Sequence, residues 1–366
     1  MMPRMSRRVA CSLLCGSLLV SACSDSHKSS GSGGTGSNAT GSGGKSAASG
    51  STGTFSTGSS TGQSGTGGGG PHIIYADTDD TLFTLDPTDP TLAITTVGKI
   101  DCIGPSGTPG QQSTAMTDLA VDKSQNIWGL SSYAVRPLTI QNGMVHCGTE
   151  VYVHVPDPNS TNPSFPYIKF EALTFAPEGV IKPNEVLVAG DTAGELWSIE
   201  PPGTISQHGQ FGTVPADDGH GHAYQYPGKL WELSGDIVFL ANNGNPVGFA
   251  TVRDCMNPPD NTNCDPIDTL IEIDMSALAQ QGTQNVTKSI RGQIVKSPSC
   301  GDTSGGYGSM YGIASWNDKV FGFSRSGNLV EISNVDGSAC LVKNYPMDLF
   351  SGAAVTTVAP VIPPPM

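Results

Sequence analysis

One eight-residue theme recurs five times within residues 71–366, and that recurrence limits the possible folds more than any other feature of the chain. The copies are DTLFTLDP from Asp80 to Pro87, TEVYVHVP from Thr149 to Pro156, GELWSIEP from Gly194 to Pro201, DTLIEIDM from Asp268 to Met275 and GNLVEISN from Gly327 to Asn334. In each, apolar residues alternate over a short run that opens after a turn and closes near an acid, Pro or Asn. That is the pattern of a half-buried strand.

Three further themes keep a constant order around the first. Preceding it are IIYAD at Ile73, IWGLS at Ile127, VLVAG at Val186, IVFLA at Ile237 and VFGFS at Val320. Ahead of those stand DLAVD from Asp118, ALTFA from Ala172, LWELS from Leu230, GIASW from Gly312 and GAAVT from Gly352. A last theme follows in most copies: AITTVGKI from Ala93, TISQHGQF from Thr204, TKSIRGQI from Thr287 and ACLVKNYP from Ala339. Four strands per unit and five units predict an all-β chain folded as a β-propeller of about five four-stranded blades. The N-terminal unit lacks its own first strand and GAAVT is left over at the other end, so the C-terminal strand is expected to complete the first blade. This closure resembles that of many propeller proteins. Insertions are expected at 132–148 and 157–167 in the second unit and at 242–267 in the fourth.

The first 70 residues are of a different kind. Arg4, Arg7 and Arg8 precede the apolar stretch Val9 to Ala22, which is too short to span a bilayer and has the layout of a secretory signal. Leu19-Val20-Ser21-Ala22-Cys23 resembles the lipobox of bacterial lipoproteins. That resemblance implies cleavage before Cys23, a diacylglycerol on its thiol and an acylated new amino terminus, with several chains together giving stable membrane anchorage. Ser24 in place of Asp resembles the outer-membrane sorting signal of Gram-negative lipoproteins. From Ser24 to Gly70 the chain is nearly all Ser, Gly, Thr and Ala, with Phe55 its one aromatic residue. Such a segment buries too little apolar surface to offset its ordering entropy and is expected to act as a tether with a span of about 35 to 40 Å. The expected organisation is thus a signal peptide at 1–22, a lipid-anchored linker at 23–70 and a propeller at 71–366.

Eighteen Lys and Arg face 32 Asp and Glu, a net charge of −14 that repels phosphate backbones and excludes nucleic acid as an expected partner. Of nine cysteines, Cys11 and Cys15 leave with the signal and Cys23 takes lipid. The even remainder in an exported protein predicts three disulfides. Cys255 and Cys264 flank a short Pro- and Asn-rich turn and form the simplest pair. Cys102 and Cys300 each follow a fourth strand, and Cys147 and Cys340 each lie 19 residues beyond a matching aromatic, Trp128 and Phe321. Cys102 is therefore paired with Cys147, and Cys300 with Cys340. None of the six forms the Cys-x₂-Cys spacing usual for structural zinc.

Candidate chemistry is sparse. His220 and His222 in ADDGHGH point the same way on an extended segment and, with Asp218, could ligate a divalent metal, although a solvated Gly-rich connector is the better account of the motif. Asp77, Asp79 and Asp80 alternate like oxygen ligands for calcium but fall short of an established calcium loop and suit an ordinary hairpin turn. No metal or other cofactor is expected. An enzyme built on this fold would need acids on the inner strands, where Asp118, Asp122, Glu171, Glu232 and Asp236 are available. Aligning the copies sets Asp118 against Ala172, Leu230, Gly312 and Gly352, so no shared acidic ring emerges. Trp128, Trp197, Trp231 and Phe321 are expected between blades, and Trp316, beside a turn, is a candidate sugar-stacking residue.

These features point to a cell-envelope lipoprotein attached to the membrane through its N-terminal lipid, with a propeller serving as a binding platform for an envelope protein or glycan. A glycan-directed hydrolase or lyase using inner-strand carboxylates, and a surface spacer without a small ligand, are the alternatives from other classes.

Overall fold

The computed structural model describes residues 73–104, 114–158, 166–259, 262–301, 304–317 and 319–361. Residues 1–70, on which the expected signal, Cys23 and the expected linker fall, lie outside the described residues.

Five antiparallel sheets form a ring. Blade 1 holds β1 (Ile74–Thr78), β2 (Thr81–Leu85) and β3 (Ile94–Lys99). Blade 2 holds β4 (Asp118–Val121), β5 (Ile127–Leu130), β6 (Ala134–Gln141) and β7 (Met144–Cys147), with β8 (Val151–Tyr152) pairing part of β6. Blade 3 holds β9 (Phe170–Ala176), β10 (Val186–Asp191), β11 (Glu195–Glu200) and β12 (Thr204–Gln210). Blade 4 holds β13 (Trp231–Leu240), β14 (Val247–Asp254) and β15 (Thr269–Ile273). From it β16 (Gly282–Asn285) reaches back to extend blade 3 beside β12, before β17 (Thr287–Gln293) completes the blade. Blade 5 holds β18 (Met310–Trp316), β19 (Lys319–Ser324), β20 (Asn328–Ser333) and β21 (Ala339–Asn344). The last strand, β22 (Phe350–Ala354), pairs with β1 through Tyr75↔Ala354, Ala76↔Ala353 and Asp77↔Gly352, so the chain end supplies the missing inner strand of blade 1. The inner strands β4, β9, β13, β18 and β22 pack side by side and close the circle.

The apolar residues of each strand are buried between neighbouring blades, which is why the core divides into interblade clusters. Leu82, Met116, Leu119 and Val145 fill the space between blades 1 and 2. Leu130, Phe170, Leu173 and Ile199 do so between blades 2 and 3, and Leu196, Trp231, Phe239 and Ile271 between blades 3 and 4. Around the closure, Phe350 sits edge-on to Phe83, Phe323 and Tyr345, with centroids 5.3 to 6.3 Å apart. Trp231 and Phe321 are buried as expected, whereas Trp128 and Trp197 are half-buried against the blade 2–3 core.

Three expected elements are corrected. IVFLA is not a separate second strand. It continues LWELS in the ten-residue β13 across a bulge at Ser234–Gly235–Asp236, where Gly235 lets the backbone carbonyl of Met310 approach within 2.3 Å of where a Cβ would stand. The second strand of blade 4 is β14, inside the expected 242–267 insertion. In blade 2 the third and fourth strands are β6 and β7, inside the expected 132–148 insertion, and TEVYVHVP contributes only the two-residue β8. Pro137 within β6 gives that strand no N–H at its centre and breaks its alternation, which masks it in the sequence. Trp316 is 3% exposed at the end of β18, so it is a core residue and not an exposed stacking platform.

The cysteines form Cys102–Cys147, Cys255–Cys264 and Cys300–Cys340, with Cα separations of 5.8, 3.9 and 5.7 Å. The first joins the end of blade 1 to the outer strand of blade 2 and the third joins blades 4 and 5, so two of the bridges staple adjacent blades.

Candidate functional site

Inner strands run from an upper rim, where they begin, to a lower rim. The connections between blades return to the upper rim, and so does the turn between the second and third strands of each blade. The connection 211–230, between blades 3 and 4, therefore lies on this face. The lower face is crossed by residues 355–361, which follow β22. Thr356 Oγ1 donates to Asp122 O at 2.9 Å, Thr357 Oγ1 to Glu185, Ala241 N to Thr357 O at 2.7 Å and Asn317 N to Pro360 O at 2.7 Å. One tail thus touches blades 2, 3, 4 and 5 beneath the ring.

A polar set gathers at the upper rim, with members from every blade. Arg325, in the β19–β20 turn, donates to Asp79 Oδ1 at 2.6 Å, to Ser351 Oγ at 2.6 Å and to Leu349 O at 3.3 Å, and lies over the Tyr311 ring at 5.5 Å. The hydroxyl of Tyr311 in turn bonds Arg253, whose guanidinium faces Asp268 and Glu171 and donates to Ser234 O at 2.8 Å. Lys169 pairs with Glu171 at 2.7 Å and faces Tyr311 and Tyr133. Burial disfavours the charges of Lys169 and Arg253, yet the acids and tyrosines around them outweigh it and raise both pKa values. Arg253 is 8% exposed, its Nε has no hydrogen-bond partner among the described residues, and Glu171 Oε2 is likewise buried and unpartnered. A buried donor and a buried acceptor left unmatched are costly unless something else meets them.

Below this rim lie three aspartates, each fully buried: Asp77 on β1, Asp118 at the start of β4 and Asp236 in the β13 bulge. Asp118 Oδ2 accepts the Leu173 N–H, and Asp236 Oδ2 accepts the Ile313 N–H at 2.6 Å. Each carboxylate thus reaches the inner strand of the following blade in the same way. The sequence alignment set Leu230 opposite Asp118; the bulge puts Asp236 there instead. Of the neighbouring charges, Asp236 acts most strongly on Asp118. Burial first, and then the neighbouring Asp236, hold Asp77 and Asp118 well above the ordinary carboxylate range, and burial pushes Asp236 up to about 8.

The other residues singled out in the sequence are dispersed. Asp122 organises its own turn by accepting from Ser124 N and Asn126 N, and Glu232 is buried beside the Cys255–Cys264 bridge. Asp218 accepts from His220 N, His222 N, His222 Nδ1 and Gln293 N. Although burial opposes it, these bonds hold its pKa down at about 2. Its carboxylate is therefore used in shaping the loop; His220 is exposed and His222 half-buried. Asp80 is held by Lys99 at 2.7 Å and Asp79 by Arg325, so the three acids of the first hairpin face three different environments. Among the described residues, two groups of three metal-type donors come together, Asp101–Cys102–Cys147 and Glu232–Cys255–Cys264, and the sulfurs in both are in disulfides.

Lys169, Arg253, Arg325, Tyr133 and Tyr311 did not stand out in the sequence. The one available signal is position: each lies at the upper end of a strand, beside an inner strand or in a turn between second and third strands.

No protein-family model and no curated protein matches the chain. Several solved structures resemble it in fold. A protein of unknown function from Bacteroides caccae is 11% identical, with a TM-score of 0.33, covering 78% of this chain and 98% of that one. A protein of unknown function from Bacteroides thetaiotaomicron is 10% identical, with a TM-score of 0.36, covering 72% and 55%. A putative 6-phosphogluconolactonase from Bacteroides uniformis is 11% identical, with a TM-score of 0.36, covering 77% and 84%. Likeness at this level carries no argument about activity.

Proposed function

We propose that this protein is a bacterial envelope lipoprotein, anchored at the outer membrane through Cys23 and held away from it by residues 24–70, whose propeller binds an uncharged, hydroxyl-rich ligand such as a glycan segment at the upper mouth of its channel. The observation that carries this reading is the five-blade polar set at the upper rim, with Arg253 Nε and Glu171 Oε2 buried and unmatched within it. Its charges balance: Lys169, Arg253 and Arg325 stand against Asp79, Glu171 and Asp268. A balanced mouth offers an ion little net attraction but presents donors, acceptors and the rings of Tyr133 and Tyr311, which suit a sugar. The acids favour binding over hydrolysis. Glycosidase carboxylates reach the substrate from either side, whereas Asp118 and Asp236 are fully buried and offer no surface on which a substrate could lie.

Binding of the full chain to an array of neutral and acidic glycans tests the site. The expected result is retention of neutral glycans that changes little with salt and weakens about tenfold or more in Tyr311→Ala, a loss of ~1.4 kcal/mol. Binding that survives Tyr311→Ala and Lys169→Ala would place the ligand elsewhere. For the anchor, Cys23→Ala is expected to move the protein from the membrane to the soluble fraction, and persistent lipid labelling of that variant would defeat the assignment.

A further inference from the structure

We propose that the neutral glycan taken at the mouth is a linear chain whose further units lie along the seam between blades 2 and 3, on a ladder of three aromatic rings; this presupposes that the mouth is a glycan site. Tyr152 and His154 stand on the run that leaves β8, and Tyr167 stands on the run that enters β9. The rings of Tyr152 and His154 are 5.1 Å apart and tilted by 34°, and those of His154 and Tyr167 stack at 4.2 Å with their planes 8° apart. Alternation along both runs produces the ladder. Val151, Val153 and Val155 on one run, and Ile168 and Phe170 on the other, pack into the core between blades 2 and 3. The residues between them therefore turn outward. Tyr152 is 42% exposed, His154 is exposed and Tyr167 is half-buried.

The two runs are held in register. Ile168 N donates to Val155 O at 2.8 Å and Asp157 N to Pro166 O at 2.8 Å. The β5–β6 turn fixes both of them, since Val153 N donates to Tyr133 O at 2.7 Å and Phe170 N to Ser132 O at 2.9 Å. The ladder is thereby tied to Tyr133, one of the rings of the mouth. Its outer end lies where blade 2 meets blade 3: a Cβ added to Gly203, in the β11–β12 turn, would stand 3.6 Å from Tyr152 O. At its inner end Tyr167, Lys169 and Glu171 occupy alternate positions of one extended run and share a side. Lys169 bonds Glu171 Oε1 at 2.7 Å, and Glu171 Oε2 is the buried acceptor left unmatched at the mouth. From Tyr167 to Glu171 the chain rises about 13 Å, a distance that a short oligosaccharide covers and a single sugar does not.

The core does not require these rings, because Val153 and Phe170, both fully buried, already fill the seam beneath them. A row of exposed rings running into a polar mouth is a binding surface by composition. A pyranose turns a face of C–H bonds toward an aromatic ring and keeps its hydroxyls for donors and acceptors. The same molecule thus suits both the ladder and the mouth. His154 fills the gap between the two tyrosines and holds the stack rigid, so little side-chain freedom is lost when a chain settles on its solvent side.

The test uses the full chain and titrates it with disaccharides and hexasaccharides of glucose, mannose, galactose and N-acetylglucosamine. For the sugar that binds, the hexasaccharide is expected to bind about tenfold or more tighter than the disaccharide. Tyr152→Ala and His154→Ala are expected to abolish that gain and leave disaccharide binding unchanged, while Tyr152→Phe keeps it. A gain that survives both alanine variants would overturn the ladder. So would equal binding of the two lengths that is still lost in Tyr311→Ala, an outcome that leaves the mouth as a glycan site. Binding of no sugar at either length would overturn the ladder and the mouth together. Should the alanine variants fail to fold, hydroxyl-radical footprinting of the wild type decides: protection of Tyr152 and His154 by the hexasaccharide and not by the disaccharide supports the ladder, and equal labelling with both overturns it.

Discussion

Asp118 and Asp236 stand on inner strands two blades apart, yet both are fully buried and Asp236 is the neighbour whose charge raises Asp118 most. Each also accepts an N–H from the inner strand of the following blade. The pair joins four of the five inner strands through two carboxylates, so its protonation bears on the closure of the whole ring.

Stability should fall as pH rises. Burial, and then the neighbouring Asp236, raise Asp77 and Asp118, and burial pushes Asp236 to about 8 and Asp191 to about 7. Unfolded aspartates titrate near about 3.9, so between that value and about 8 the folded chain binds protons that the unfolded chain does not. The contribution is complete below the unfolded value and is lost as pH rises through the folded ones. Asp218, held down at about 2, works the other way, but its contribution is lost only as pH falls toward that value. The urea midpoint should therefore decline from about pH 5 to about pH 9, and Asp236→Asn should flatten the decline. A wild-type midpoint that rises over this range would contradict the assignment.

Gly352→Ala should destabilise the closure strand by about 1 to 3 kcal/mol. The added methyl would meet Asp118 Oδ1 at 2.3 Å, Asp118 Cα at 2.6 Å and Asp77 Oδ1 at 2.7 Å, and the backbone contact cannot swing aside. Urea unfolding of the variant measures the cost. A variant as stable as wild type would mean that the inner strands of blades 1 and 2 are not packed as described.

The strands that could be found from sequence were those whose alternation is clean and bounded by turns. All five inner-strand motifs, and the use of GAAVT to close blade 1, fall in this class because period-two patterning directly reports a strand with two buried neighbours. β6 and β14 were hidden for local reasons, Arg136 and Pro137 interrupting one and Gly248 and Arg253 the other. The upper-rim set was hidden for a global reason. Lys169, Arg253 and Arg325 are single cations at strand ends, each indistinguishable from ordinary surface charge until the ring brings five blades to one mouth. Asp236 was visible as an inner-strand acid, but its equivalence to Asp118 depends on a bulge that carries no sequence signature beyond Ser234-Gly235.

Removing Cys102–Cys147 should cost more stability than removing Cys255–Cys264. The sequence separations are 45 and 9 residues. Loop-closure entropy alone makes the longer bridge worth about 1.4 kcal/mol more at 25 °C. The longer bridge also staples blade 1 to blade 2, whereas the shorter one closes a single loop. Paired Cys→Ser variants compared by denaturant midpoint test the order, and equal losses would show that the two bridges act mainly on native-state packing.

The segment after β22 should stabilise the ring out of proportion to its length. Residues 355–361 bury Val355 and Ala359 and donate to or accept from Asp122, Glu185, Ala241 and Asn317, one partner in each of the other four blades. At roughly 1 kcal/mol net per hydrogen bond plus the apolar burial, truncation after Ala354 should cost about 4 to 6 kcal/mol. Truncation removes several contacts at once, so Thr357→Val isolates one. It keeps the shape of a side chain only 1% exposed while deleting the hydroxyl that donates to Glu185. Burial raises the Glu185 pKa and the Thr357 bond opposes that rise, so the substitution should raise it further. The loss should then be about 1 to 2 kcal/mol where the carboxylate is charged and should shrink as pH falls and the carboxyl takes up a proton. A double-mutant cycle with Glu185→Gln, read at neutral and at acid pH, separates this bond from the packing of the tail. A coupling that is absent at neutral pH would show that the tail is held by its backbone alone.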